Sequence, residues 1–311
     1  MSENTEEYNF NSIHNAILDY VDKAGKNLSN KTSLTGLPTG FIDLDKLTGG
    51  LQPSNFIILA ARPSMGKTAL ALNIVQNVAL RAHKKIGGEP RSVAFFSLEM
   101  NKEQVIDRML CSEAAINSQC LRIGKLNDNN WDTLWTTCDA MSKAKIYIDD
   151  TPSLTVMEIR NRTQKLKEEH GLDLIVIDYL QLIQDKDRNN NTVDRYQKVS
   201  EISHSLKILA RELNIPIIAI SQLNRNVENR NIKRPMLIDL HESSSLEQDA
   251  DIVAFLYRED YYDPNSDNKH TELIIAKHRN GPVNTVNLFF DKQYTKFKNS
   301  LEILNAITKT R

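Results

Sequence analysis

One short segment restricts the possible folds of this chain more than any other feature. Residues 56–75 read FIILAARPSMGKTALALNIV, so a strand-like apolar run, a tight loop and a helical pattern follow one another directly. The loop ends in Gly66-Lys67-Thr68, which matches the end of the phosphate-binding pattern GxxxxGK[ST]. This succession predicts a strand, a phosphate-binding loop and a helix at the heart of an α/β fold.

The chemistry of phosphate binding explains why the pattern is informative. Backbone N–H groups of such a loop, and of the helix that follows, converge on anionic phosphate oxygens. Lys67 would reach the β- and γ-phosphates of ATP, and the Thr68 hydroxyl would be a ligand for Mg²⁺. The first glycine of the pattern is replaced by Ala61, and the alternative is a structural turn with a chance Gly-Lys-Thr. The residues expected at the nucleotide are Arg62, Pro63, Ser64, Met65, Gly66, Lys67 and Thr68.

Two acidic residues at the ends of apolar runs are candidates for the rest of an ATP site. Asp178 ends the run Leu174–Asp178, where a carboxylate would hold Mg²⁺ through water. Glu99 lies just past the run VAFFS and can face the γ-phosphate, where it would orient or deprotonate the attacking water. Each has an ordinary alternative. Asp178 is then a turn or helix-capping residue, and Glu99 is a first-turn glutamate favoured by the helix dipole.

The order of apolar runs predicts a mainly parallel, twisted sheet flanked by helices. Strand-like runs alternate with helical patterns from Leu34 onward, including helices at Lys67–Ala82 and Asp194–Leu213. The later runs lack long helices between them, so the sheet should end in antiparallel strands or hairpins. The predicted strands are Phe56–Ala60, Ser92–Phe96, Lys145–Ile148, Leu172–Ile177, Ile215–Ile220, Ile252–Tyr257, Leu273–Ala276 and Thr285–Phe290.

Residues 1–33 are predicted to be a linker region, separate from a main domain at 34–311. The linker contains an amphipathic helix, with Ser12 placed to cap it and Gly25 to stop it. The helix either packs on its own domain or docks on a neighbouring subunit, and the polar stretch GKNLSNKTS after it favours the second alternative. The apolar residues at helical spacing are Ile13, Ala16, Ile17, Tyr20, Val21 and Ala24.

Composition excludes several classes of protein. A hydrophobic fraction of 40% and a charged fraction of 25% are typical of a soluble globular chain. No apolar run approaches the roughly 18 residues that would span a bilayer, and the polar, acidic N-terminus is no secretory signal. The three cysteines show no CxxC spacing, so reduced thiols in the cytoplasm are expected rather than metal ligands. A net charge of −1 means that any DNA contact must be local.

Several ordered blocks beyond the phosphate loop resemble the RecA-like motor domain of DnaB-type replicative helicases. They are ARPSMGKTALALN, FSLEM, VIDYLQLI, LARELNIPIIAISQLNR, LEQDAD and AKHRNGP, and the resemblance extends roughly from Leu34 to Phe290. It implies a homohexameric ring with ATP bound between subunits and single-stranded DNA in the central channel. It also implies that the N-terminal helix docks on the adjacent subunit.

The resemblance assigns a role to each candidate site residue. Lys67, Thr68 and Asp178 would be the ATP–Mg²⁺ residues, and Glu99 the catalytic base. Gln222, after the run IIAIS, would be the γ-phosphate sensor, although a strand-end amide can also satisfy loop backbone. Lys277 and Arg279 would project into the neighbour's ATP site, with Arg279 as the arginine finger. The plain alternative for these two is exposed charge beside an Asn-Gly-Pro turn.

Two loops are candidates for contact with DNA, and one departs from the family pattern. The first is the polar stretch Asp185–Thr192 leading into Arg195. In the second, the family usually has Arg-Glu-Ser-Gly where this chain has His241, Glu242, Ser243 and Ser244. Loss of the arginine removes a permanent charge, so DNA affinity is expected to be weaker, more pH-sensitive or shifted onto other residues.

Other functions stay open at this point. The sequence starts essentially at the linker, without the N-terminal domain through which the family engages primase, so primase stimulation is not expected. A helicase loader is a candidate partner. Another RecA-like ATPase, of the recombinase or remodelling type, is the nearest alternative to a helicase. A nucleotide-dependent assembly scaffold with impaired DNA binding is a second, and a metabolic kinase a third.

Overall fold

A single mixed sheet organises the protein. The computed structural model describes residues 12–14, 17–18, 21–22, 25, 34–81, 91–184, 195–263 and 270–300. Within these residues the sheet has nine strands in the order β3-β2-β4-β5-β1-β6-β7-β8-β9. The strands are β1 (Phe56–Ala61), β2 (Val93–Ser97), β3 (Ile146–Asp149), β4 (Leu174–Asp178), β5 (Ile217–Gln222), β6 (Ile252–Arg258), β7 (His270–His278), β8 (Asn284–Asp291) and β9 (Lys296–Asn299).

The directions of the strands confirm the predicted architecture. Strands β1 to β6 pair in parallel, whereas β7, β8 and β9 continue the sheet as an antiparallel meander. All eight predicted strands are present, with ends that differ by a few residues. The ninth, Lys296–Asn299, was not predicted, because its sequence KFKN has a single apolar residue and no recognisable alternation.

Helices cover both faces of the sheet. They are α1 (Ile42–Thr48), α2 (Lys67–Gln76), α3 (Lys102–Ala114), α4 (Ser118–Arg122), α5 (Asp128–Ser142), α6 (Val156–His170), α7 (Arg195–Leu213), α8 (Ser244–Asp249) and α9 (Glu259–Tyr262). Helix α2 continues into a π-helical turn, Asn77–Arg81, so the helix predicted over 67–82 is confirmed with a changed last turn. Helix α3 begins at a capping box in which Asn101 and Gln104 exchange side-chain and backbone hydrogen bonds. Short 3₁₀ turns lie at Leu180–Leu182, Arg225–Asn229 and Leu237–Ser243.

The alternation of side chains along β1 explains why the strand is apolar throughout. Ile57 and Leu59 belong to the core on one face, with α2, whereas Phe56 and Ile58 belong to the core on the other face, with α7. A parallel strand that is covered on both sides must bury every side chain. Strand β1 is consequently fully buried along its whole length, up to the loop that follows it.

The described residues of the N-terminal segment after Ser12 are helical. They are residues 13–14, 17–18, 21–22 and Gly25, so the residue expected to stop the helix is itself helical. Ile13, Ile17 and Val21 are spaced one helical turn apart, and all three are exposed. Among the described residues, no helix has the length and apolar character that crossing a membrane would require.

Two substitutions on α7 test the packing of the second core. Leu206 is fully buried, so Leu206→Ala should lower the free energy of unfolding by about 2–5 kcal/mol through lost burial and a residual cavity. Ile208 is 41% exposed on the same helix, so Ile208→Ala should change it by less than about 1 kcal/mol. Urea denaturation of both variants measures the difference, and equal losses would contradict the assignment of these two faces.

Candidate active site

The loop between β1 and α2 has the backbone that phosphate binding needs. Gly66 has φ 101° and precedes α2 as its N-cap, so the chain turns there in a conformation that favours glycine. A Cβ on Gly66 would also lie 3.1 Å from the Phe297 ring, which packs under the loop. Ser64 has φ 64°, which adds a second left-handed turn. The loop therefore curls over the N-terminus of α2, where free N–H groups point outward.

A short contact joins the loop to the end of β4. The Thr68 hydroxyl donates a hydrogen bond to Asp178 Oδ2 at 2.7 Å. Asp178 is 2% exposed, and this burial raises its pKa; the nearby Glu99 adds to the rise, while the Thr68 hydrogen bond and Lys67 oppose it. A hydroxyl and a carboxylate are oxygen donors of the kind that Mg²⁺ prefers. The pair therefore fits a magnesium ion.

Lys67 lies beside this pair and is largely removed from water. Its Nζ donates to the carbonyl oxygens of Ala61 at 3.0 Å and Arg62 at 3.1 Å. Burial lowers the pKa of Lys67 to about 8, and the carboxylates of Asp178 and Glu99 oppose that shift. The ammonium is thus held at the loop, where its charge is costly until an anion arrives.

Backbone hydrogen bonds bring two more strand ends to the same edge of the sheet. Leu98 N donates to Asp178 O at 2.8 Å, which places the exposed Glu99 next to the magnesium pair. Leu223 N donates to Ala61 O at 3.2 Å, which places the exposed Gln222 next to the loop. The phosphate loop, Glu99, Asp178 and Gln222 therefore lie together at the carboxyl ends of adjacent parallel strands.

The phosphate loop and the neighbouring strand ends line one cavity of about 670 Å³, a size typical of ligand sites. The predicted residues in its wall are Pro63, Ser64, Gly66, Lys67, Thr68, Glu99, Asp178 and Gln222. The observed donors, the curled loop and the volume together fit a nucleoside triphosphate with Mg²⁺.

Two of the predicted loop residues turn their side chains away from this cavity. Arg62 Nη1 donates to Leu223 O at 2.8 Å, and its Nε pairs with Glu228 at 2.9 Å. Met65 is 1% exposed and packs in the core on the α2 face. The side chains of Arg62 and Met65 therefore do not line the cavity, and a contact of these two residues with a nucleotide would come from their backbone atoms.

The far wall of the cavity contains residues that sequence reasoning missed. Gln104 and Arg108 on α3 are one helical turn apart, and Arg122 on α4 lies near them. Arg108 is close enough to Asp178 to lower the pKa of that carboxyl against the effect of burial. The available signal was the helical spacing of polar residues directly after Glu99, which by itself is typical of a solvated helix face.

Lys277 and Arg279 lie at the opposite edge of the sheet. Ile252 pairs with both Ile57 and His278, so Arg279 lies beside the amino end of β1. The phosphate loop follows the other end of this six-residue strand, and six strand residues span roughly 20 Å. Lys277 and Arg279 of one chain therefore do not meet the Lys67 of that chain.

The side chains of this pair lie against the end of α8. Lys277 Nζ donates to Glu247 O and, at 3.2 Å, to Gln248 O, and Arg279 Nη2 also donates to Gln248 O. Burial lowers the pKa of Lys277, and Arg279 adds to that effect. The carbonyls at the carboxyl end of a helix attract cations, which accounts for the arrangement.

The candidate DNA contacts are not tested by the structure. The stretch Asp185–Thr192 lies outside the described residues. Arg195 begins α7, and residues 241–244 run from a 3₁₀ turn into α8, but the side chains of these residues are likewise outside the description.

The parallel sheet, the curled loop and the Thr68–Asp178 pair define a RecA-like P-loop nucleotide-binding domain. Residues 36–299 match the model of the DnaB-like helicase C terminal domain, and the chain belongs to that family. The resemblance seen in the sequence blocks is thus confirmed, and its far end lies at β9 rather than at Phe290.

Relatives and solved structures agree with this assignment. The chain is 54% identical over 291 residues to the replicative DNA helicase DnaB of Geobacillus stearothermophilus, and 53% to the replicative DNA helicase DnaC of Bacillus subtilis. Each match covers 93% of this chain but 62% of the relative, so the chain spans less than two thirds of their length.

Two solved structures are similar in fold. One is the ATPase domain of the protein G40P, with TM-score 0.85 and 40% identity over 94% of this chain and 99% of that one. The other is described as a DnaB-like replicative helicase and its interactions with primase, with TM-score 0.82 and 40% identity over 94% of this chain and 67% of that one. At this identity both support the same RecA-like domain.

The lowered pKa of Lys67 predicts that nucleotide binding weakens as the pH rises. Below pH 8 the ammonium is charged and ready for phosphate, whereas above it each binding event must first restore a proton. The affinity for a non-hydrolysable ATP analogue should then fall about tenfold per pH unit. Titrations between about pH 7 and about pH 9.5 measure this, with Lys67→Arg, whose guanidinium stays charged throughout, as the control that removes the slope. An unchanged affinity across that range would contradict the assigned role of Lys67.

Proposed function

We propose that this chain is the ATP-hydrolysing motor of a replicative DNA helicase, which translocates on single-stranded DNA and separates strands. The proposal rests on the separation of the expected ATPase residues between the two edges of the sheet. Lys67, Thr68 and Asp178 lie at one edge of the sheet and Arg279 at the other. The two relatives, both replicative DNA helicases, support the same function.

The residues at the loop supply binding and proton transfer. Lys67, Thr68 and Asp178 would hold ATP and Mg²⁺, and the ion would neutralise charge on the phosphates. Glu99, exposed in the cavity next to Asp178, would accept the proton of the attacking water. Gln222 would hydrogen-bond the terminal phosphate and report its loss to the segment that follows β5.

A homohexamer completes the site. Because Arg279 and Lys277 cannot reach the loop of their own chain, we assign them to the site of a neighbour, with Arg279 as the arginine finger. Such a contact is heterologous, and repeated around an axis it closes a ring. The exposed stripe Ile13, Ile17 and Val21 fits the linker region at 1–33, which would dock on the adjacent motor domain at 34–311.

The candidate DNA segment is continuous with the element that holds the finger. His241, Glu242 and Ser244 lead directly into α8, and the far end of α8 receives the Lys277 and Arg279 side chains. DNA bound there, with help from Arg195, would bias the position of Arg279 and so stimulate hydrolysis in the neighbour. A cytoplasmic location belongs to the same proposal, since ATP and replicating DNA meet there in bacteria.

The changed residues in this segment favour one alternative, a nucleotide-dependent assembly scaffold with impaired DNA binding. His241 and Ser244 replace the arginine and glycine that the family usually has, so the phosphate chain meets less permanent charge. A helicase loader would be compatible with either function, whereas primase engagement is not part of the proposal.

ATP hydrolysis with and without single-stranded DNA separates the two functions. If the chain is a motor, DNA should stimulate turnover. Arg279→Ala should lower kcat by about 10³-fold while binding of an ATP analogue persists. Lys67→Ala should lose both binding and turnover. Arg211→Ala, an exposed arginine on α7, is the matched control and should retain wild-type turnover.

Two outcomes would decide against the motor. If turnover does not depend on DNA while ATP still drives assembly, the scaffold function is supported. His241→Arg would then be expected to restore the dependence of turnover on DNA. Full activity in Arg279→Ala would contradict the shared site itself.

A further inference from the structure

A buried carboxylate, Asp251, lies where the start of β1 meets the Lys277–Arg279 turn. Its Oδ2 accepts hydrogen bonds from Phe56 N at 2.8 Å and from Lys207 Nζ at 2.6 Å. Lys207 also donates to Ser54 O at 3.1 Å, just before β1. The Asp251 side chain is 9% exposed, so its charge is sheltered and depends on these donors.

The same residue also holds Arg279. The backbone N–H of Arg279 donates to Asp251 O at 2.9 Å, and its guanidinium Nη1 lies 3.5 Å from Asp251 Oδ1. The Arg279 side chain remains 44% exposed. A long exposed arginine ordinarily samples many rotamers, and ordering it costs up to about 2 kcal/mol. Anchors on its backbone and its guanidinium remove much of that freedom before a partner arrives.

The contacts of the Arg279 guanidinium leave part of it accessible to an anion. Lys207 takes the short contact to Asp251 Oδ2 and Arg279 the longer one to Oδ1, and Arg279 Nη2 also donates to Gln248 O. Arg279 is the more exposed of the two cations that contact Asp251. An anionic transition state outside the chain is the kind of partner that such a charge would stabilise.

We propose that Asp251 is a positioning residue that orients Arg279 for the ATP site of the neighbouring subunit. The inference rests on the proposed function, because it takes Arg279 to act across an interface. Asp251 touches neither nucleotide nor reacting atoms, and it acts through Arg279 alone. A general structural role for Asp251 would instead act within its own chain, on β1 and the phosphate loop, through the hydrogen bond to Phe56 N.

Complementation between subunits separates these two roles. Asp251→Asn keeps the shape and an oxygen acceptor for Phe56 N but removes the charge that orients the guanidinium. We expect kcat to fall by about 10²-fold, the size of effect typical of a small misplacement, with little change in KM. The Asp251→Asn chain is then co-assembled with Lys67→Ala, which lacks its own ATP binding but presents an intact Arg279.

Positioning in trans predicts recovery in the mixed assembly. An interface between the phosphate loop of an Asp251→Asn chain and the Arg279 of a Lys67→Ala chain has every residue of the site intact. In an equal mixture this holds for about a quarter of the interfaces. A mixture of Arg279→Ala with Lys67→Ala is the reference and should recover to the same extent. Arg211→Ala, the exposed arginine on α7, is the control and should leave both the melting temperature and kcat near wild type.

Two results would overturn the inference. If the reference mixture recovers and the Asp251→Asn mixture does not, Asp251 serves only its own β1, and the proposed function stands without it. If neither mixture recovers, Arg279 does not act across an interface and both proposals fail. Should Asp251→Asn not fold, Asp251→Glu takes its place. It keeps the charge but moves it by one methylene, and the same recovery or its absence decides the question.

Discussion

The parallel pairing of β1 with β5 on one side and β6 on the other is the constraint on which this structure depends. Parallel strands carry all their carboxyl ends to one edge, so the loop after β1, Asp178 at the end of β4 and Gln222 at the end of β5 converge there. The same register puts the start of β6 and the end of β7 at the opposite edge, and with them Asp251 and Arg279. One hydrogen-bond pattern thus separates the two halves of the proposed ATPase site.

Burial sets the electrostatics of the loop edge. It lowers the pKa of Lys67 to about 8 and raises the pKa of Asp178, so each group is pushed toward its neutral form. Each is also the other's nearest opposing charge, which limits both shifts. A site of this kind gains more from phosphate and a divalent cation than an exposed one would, because those ligands replace the solvation that burial removed.

The sequence predicted those site residues that a short local motif defines. Gly66, Lys67 and Thr68 follow an uninterrupted apolar strand, and Asp178 ends another, so their positions at the sheet edge could be deduced from chain order alone. Gln222 and Arg279 were assigned through family resemblance, since a strand-end amide and a turn arginine have no distinctive local pattern.

What the sequence could not give depends on tertiary contacts. Arg62 belongs to the loop pattern, yet its guanidinium pairs with Glu228, which is 166 residues further along the chain. Arg108 faces the cavity because α3 packs beside α2, and β9 pairs with β8 while its Phe297 ring packs near Gly66. Asp251 reads as one more acidic residue in LEQDAD until its contacts with Phe56 and Lys207 are seen. Each of these depends on chain segments brought together only by the fold.

The central claim is that a complete ATPase site needs two copies of the chain. The most direct test is the hydrolysis rate per chain as the protein is diluted through its assembly threshold, with oligomer size measured in the same samples. Turnover per chain should fall toward zero as monomers form, while an ATP analogue still binds to the Lys67 loop. Monomers that hydrolyse ATP as fast as assembled chains would contradict it.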